Sequence, residues 1–183
     1  MVNMNLRQYL TPTNGVLVVL IAFAAAARFW PHPPNFAPVA AVALFSGVYL
    51  GKRASLIAPI VAMVVSDAFL GFHNLVLFTW GSMALVGVIG WWVRERKNSR
   101  MIVAGSLAGS ALFFVITNFG AWLTNHGGLY SYDLAGLTQG FINGLPFLRN
   151  TVAGDLFYAG VFFGIAELAL AWERSRSKRV SIR

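Results

Sequence analysis

Apolar positions fall into six blocks, at residues 15–30, 38–50, 54–72, 75–93, 101–123 and 151–172, separated by short polar or proline-rich breaks. Within each block the apolar residues run almost without interruption instead of marking one face. Blocks of that kind are helices surrounded by lipid or by one another. The pattern predicts an all-α membrane protein, a bundle of six transmembrane helices. The second block is the short one. At about 1.5 Å per residue it is hardly 20 Å long, so it is either tilted by its neighbours or falls short of a full crossing.

The breaks carry their own signals. Between the first two blocks the chain reads PHPPNFAP, and three prolines in four residues cannot continue a helix. Residues 124–149 are too polar and glycine-rich to read as a span. Within them Asp133 suits a helix N-cap, Leu134, Leu137, Phe141 and Leu145 follow at helical spacing, and Gly136, Gly140 and Gly144 recur every four residues. This predicts a short extra helix in the loop before the last span, packed on the surface or acting as a lid. The first block has a signal-peptide flavour, with a basic start and small residues from Ala24 to Ala27. Arg28 and Pro31 follow it directly and look integrated with what comes next, so it reads as the first span.

Composition agrees with the blocks. The 183 residues are 57% hydrophobic and 11% charged, against about 25% charged in soluble domains. The formal charge of +8 would point to nucleic acid in a soluble protein, but here the cations sit in short loops and a tail. No nucleic-acid partner is expected; the partner is the lipid bilayer. With six crossings and both termini cytoplasmic, twelve of the 14 Lys and Arg fall on the inner side, from Arg7 through Lys52, Arg53, the Arg94–Arg100 loop and the C-terminal tail. That asymmetry predicts an inner-membrane, multi-pass protein. Arg28 and Arg149 defy the bias and fall on the outer side.

Candidate chemistry gathers with them. Asp67, in SDAFLGFHN, lies inside an apolar block, where a carboxylate costs roughly 2.5–3.5 kcal/mol even on lenient scales. Arg28, His32, His73, Asn118, Trp122, Arg149 and Asp155 belong to the same outer end by topology, with His126, Tyr130, Tyr132 and Tyr158 nearby. Two readings follow. The charges pair and brace the fold, or they line a polar cavity that binds a small molecule. The histidines and Asp67 match no established metal-ligand spacing, and no cofactor is expected. The absence of cysteine excludes disulfides and thiolate chemistry. Gly47 and Gly51-Lys52 only faintly echo a phosphate loop, and no ATP site is present. Small-residue pairs Ala22/Ala26, Gly105/Gly109 and Gly160/Gly164 allow close helix contact, inside the bundle or with a partner subunit. Glu167, near the inner end of the last block, reads as snorkelling toward cytoplasmic cations. An intramembrane enzyme using Asp67 and His73 as acid and base, and a ligand-free structural subunit, are the alternatives to a binding protein.

Four stretches, PHPPNFAPVAAVALFSG, SDAFLGFH, TNFGAWL and LPFLRNTVAGDLFY, spread over most of the chain. Together they resemble a bacterial family of small transport proteins of unassigned substrate. That family is similar to the substrate-binding S components of energy-coupling factor (ECF) transporters. The resemblance implies a six-helix protein that captures a vitamin-like molecule at the outer face. It also implies either solitary function or an energising module of coupling subunit and ATPases, docked through Ala22 and Ala26. Solitary cobalamin transporters of that class hold the corrinoid cobalt with a cysteine. This chain has none, so a cobalamin ligand would need His73 in that role or no protein ligand at all.

Overall fold

The computed structural model describes residues 12–125 and 128–180, and among them every regular element is helical. Arg7 and His126 lie outside the described residues. Six helices follow in order: α1 Pro12–Ala27, α2 Val39–Leu50, α3 Lys52–Leu70, α4 Val76–Glu95, α5 Ser99–Leu123 and α6 Leu134–Val180. Of these, α3, α4, α5 and α6 are long and apolar enough to cross a membrane, whereas α1 and α2 are shorter.

Local chemistry fixes the ends. Past α1 the chain closes with Arg28 N–H on the Ala25 carbonyl, 3.2 Å, and Phe29 N–H on Ala26, 3.0 Å; Pro31 then bars further helix. Gly51 and Gly71 bracket α3 at φ +96° and +99°, backbone that favours glycine. Asn98 caps α5, its side chain accepting from Met101 N–H at 3.0 Å. Asp133 caps α6 as its sequence position predicts: its Oδ1 accepts from Gly136 N–H, 2.7 Å. That amide, with the Ser131 hydroxyl, holds the Asp133 carboxyl below the usual carboxylate range. A depressed carboxylate stabilises the helix start at neutral pH, and the effect is lost as pH falls through the depressed value. Asp133→Ala is expected to remove it at all pH values, seen as faster amide exchange over residues 134–138.

The axis of the bundle is α2. Its first seven residues, Val39–Phe45, are all buried, and it packs on each of the other five helices. A helix apolar on every side belongs at such a centre. Its last turn, Ser46–Leu50, is a π-turn closed by Gly51 N–H on Ser46 O at 2.9 Å. Glycines let α2, α3 and α4 meet backbone to backbone. A Cβ on Gly90 would lie 2.7 Å from the Leu44 carbonyl, one on Gly47 2.8 Å from the Gly87 carbonyl, and one on Gly87 deep in the Ser55 backbone. Gly47 therefore serves packing. Gly105 and Gly109 likewise face Val93 and Val86, whereas nothing approaches Gly160 or Gly164.

The short extra helix predicted before a last span at 151–172 is not separate. It is the first part of α6, which runs 47 residues without a break, about 70 Å at 1.5 Å per residue. Pro146 lies inside it. The helix follows α5 antiparallel: Phe141 meets the Phe114 ring, Gly144 meets Asn118 and Asp155 meets Ser110, and just before the start of α5 Lys97 meets Glu167. The recurring glycines make room for their neighbours: Gly136 for Ser131, Gly140 for the Tyr130 ring, and Gly144 for Asn118 of α5.

The two ends of the bundle differ in charge. At one, Lys52 stacks over Trp91, and Lys97 binds Glu167 at 2.7 Å with Tyr49 donating to the same carboxylate at 2.5 Å. Glu167 is thus paired with Lys97. At the other end lie Arg28, Asp67 and the proline-rich connection.

Candidate functional site

The connection between α1 and α2 does not skirt the bundle; it enters it. Asn35 adopts φ +64°, a left-handed turn that asparagine tolerates, and Phe36 then packs on Phe157, Tyr158 and the backbone of Gly154. Asp155, bonded to Ser110 near the middle of α5, lies beside Ala40 and Ala41, so α2 begins about halfway through the bundle and runs only toward the basic end. The other half of its channel holds no helix.

A cavity of about 340 Å³ occupies that half. Its floor is the first turn of α2, Val39 and Ala40, with Ala37 above it. Its walls are Met63 of α3, Thr79 and Met83 of α4, Phe113, Thr117, Asn118 and Ala121 of α5, and Phe147, Thr151 and Asp155 of α6. Arg28, Asn35, His73 and Leu75 line it toward the loops, and the space is a half-open cleft, not a sealed void. Apolar walls with a few directed polar groups are the usual make-up of a small-molecule site.

Arg28 and Asp67 form an ion pair of 2.6 Å. The carboxylate is 1% exposed and the guanidinium 17%. Trp80 Nε1–H donates to Asp67 Oδ2 at 2.8 Å, and Arg28 also donates to the Ser66 hydroxyl. Ser66 in turn donates to Ala62 O, 2.7 Å. The carboxylate is fully enclosed in this knot and does not line the cavity; Arg28 does. Asp67 therefore acts through Arg28, fixing where the cation points.

Asp155 sits alone. It is 3% exposed, its Oδ2 accepts from the Ser110 hydroxyl at 2.7 Å, and Ser110 is held by Ser106 O at 3.0 Å. Asn118 donates to Phe114 O at 2.7 Å and fits only because residue 144 is glycine. His73 is exposed at the cavity edge, its Nδ1 accepting from Leu75 N–H at 3.2 Å.

Three of the expected residues lie elsewhere. His32 bonds the Pro33 carbonyl at 2.8 Å and lines a separate cleft with Phe23, Trp30 and Tyr158. Trp122 donates to Ser131 O at 3.0 Å and packs at an angle against the Phe119 and Tyr132 rings, bracing the segment before α6. Arg149 is exposed on α6 and makes no hydrogen bond or ion pair among the described residues. Among those residues, no three metal-ligating side chains come together.

Several wall residues escaped the sequence reading, although a signal was there. Phe147, Thr151 and Asp155 are spaced four apart, as are Met63 and Asp67, and Thr79 and Met83. Helical spacing from Asp67 points to Met63, and spacing from Asp155 points to Thr151 and Phe147. Trp80 had no such mark, because an indole inside an apolar block looks like any other apolar residue.

Comparison with known proteins adds one result. Residues 8–178 match the model of a family of unknown function, DUF6580. The chain belongs to this family. The match covers nearly the whole chain, so the cavity and all six helices but the last two residues of α6 are within the family's extent. No curated protein and no solved structure matches the chain.

Proposed function

We propose that this DUF6580 member is a membrane transport protein that captures a small molecule in the cavity above α2 and passes it inward. The observation that carries the reading is the central helix that starts halfway. It leaves a polar-edged, half-open space in the core of a membrane bundle. Filling that space with Leu and Phe would have been simpler for a purely structural subunit. Transport sites near the bilayer midplane are commonly built where a helix is discontinuous.

In this proposal α1 and α2, the latter with its proline-rich lead-in, also cross the bilayer, giving six crossings. The basic end faces the cytoplasm and the cavity opens outward, at the inner membrane. The protein works alone or as an S-component-like unit of an ECF transporter. Ala22 and Ala26 are exposed on α1, where a coupling subunit could reach them. A cavity of about 340 Å³ favours a compact, vitamin-sized molecule over a corrinoid. The enzyme alternative is weakened because Asp67 is enclosed by Arg28 and Trp80, away from the cavity.

Native mass spectrometry of the protein purified from its own host tests the reading. We expect a small-molecule adduct on the wild type and none on Thr117→Trp, whose indole fills the cavity. A bare wild type, or an adduct kept equally by both, would count against it.

A further inference from the structure

The cavity wall holds one carboxyl group that no cation of the described residues answers. Its charged lining residues are Arg28 and Asp155, with His73 at the edge. Arg28 is taken by Asp67. No basic group lies within ion-pair distance of Asp155 among the described residues. Ser110 holds Oδ2, which fixes the carboxylate's orientation, while Oδ1 has no hydrogen-bond partner among them. The side chain is 3% exposed and is part of the cavity wall about halfway through the bundle. A carboxylate so placed is costly unless something meets it. Ala40, Ala41 and Leu44 of α2 lie beside it and supply no counter-ion.

Resting on the binding reading above, we propose that Asp155 is the recognition point for a cationic nitrogen, so that the molecule captured here is an organic ammonium with an apolar body. The ammonium would bond Oδ1 at the deep end of the cavity. The body would lie against Met63, Met83, Phe113 and Phe147, where thioether and aromatic groups suit a carbon skeleton. Arg28, kept at the rim by Asp67, would repel a second positive group and so set which end enters first.

Three indoles of nearly one shape test this: tryptamine, neutral 3-ethylindole and anionic indole-3-acetate. They are titrated by calorimetry into protein in lipid nanodiscs, with Thr117→Trp as the cavity-filled reference that reports partition into lipid. We expect tryptamine to bind at least tenfold tighter than 3-ethylindole, and indole-3-acetate most weakly. Asp155→Asn should abolish the preference, and Asp155→Glu, which keeps the charge, should retain most of it if Asp155→Asn proves poorly folded. Equal binding of cation and neutral isostere, a preference unchanged in Asp155→Asn, or binding by none of the three overturns the proposal. Where the neutral probe binds the wild type as tightly as tryptamine and is lost in Thr117→Trp, only the assignment of Asp155 fails. Where Thr117→Trp changes nothing for a probe that binds, the cavity reading fails with it.

Discussion

Asp67→Ala is expected to cost about 3 kcal/mol, lowering the unfolding midpoint in detergent by on the order of 10 °C. The reason is what the substitution leaves behind. Arg28 is only 17% exposed and has no second carboxylate among the described residues, so its guanidinium would stay half-enclosed beside Ser66 with its charge unmatched. Trp80 would lose its acceptor as well. Arg28→Ala should be at least as damaging, because the carboxylate it strands is 1% exposed. The informative variant is the double replacement Arg28→Met/Asp67→Leu. Removing both charges removes the desolvation penalty with the attraction, so most of the stability should return. A double variant no more stable than Asp67→Ala would show that the pair is more than a self-cancelling brace. Binding should separate from stability here: the double variant folds but lacks the cation at the cavity rim.

Gly87→Val is expected to be the most damaging substitution outside that pair. A Cβ on Gly87 would penetrate the backbone of Ser55, which cannot rotate away as a side chain can. The α3–α4 seam would have to open, and the shift of α4 would disturb its contact with α2 at Gly47 and Gly90. Overpacking a core costs about 1–3 kcal/mol where side chains can adjust, and more where only backbone is available to move. We expect little or no folded protein after extraction into detergent. Gly81→Ala is the matched control, since nothing lies within 4 Å of a Cβ there and exchanging glycine for alanine inside a helix is mildly favourable. Equal yields of folded Gly87→Val and Gly81→Ala would contradict the backbone-contact account.

How much of this could be read from the chain depends on the kind of signal. Helix positions were legible because each apolar block is bounded by proline, glycine or charge; α3, α4 and α5 begin and end within about two residues of the blocks at 54–72, 75–93 and 101–123. The α6 boundary was not, because Gly136, Gly140 and Gly144 carry the same letters whether glycine breaks a helix or admits a neighbour. Only Ser131, Tyr130 and Asn118 packed against them decide it. Shortness in the second block was visible at once. That the shortfall would be placed entirely at one end, opening a cavity, was not, since it depends on Phe36 docking against Gly154. At the site, the cost of a buried carboxylate drew attention to Asp67, which pairs with Arg28, and Asp155 was placed at the same end by topology. Which one would be enclosed and which would face the cavity turned on Arg28 and Trp80 converging from distant positions. Arg149 and Trp122 shared the same end of the sequence map, but helix rotation sends one outward and the other to the segment before α6.

The transport reading requires the cavity over α2 to open at the end opposite the basic loops. The chain has no cysteine, so a single Thr117→Cys can be read without background. In intact cells it should react with a maleimide that cannot cross the membrane, while Val86→Cys, at a position 1% exposed, should not. A Thr117→Cys protein that is folded yet labels only after the membrane is opened, or never, would contradict it.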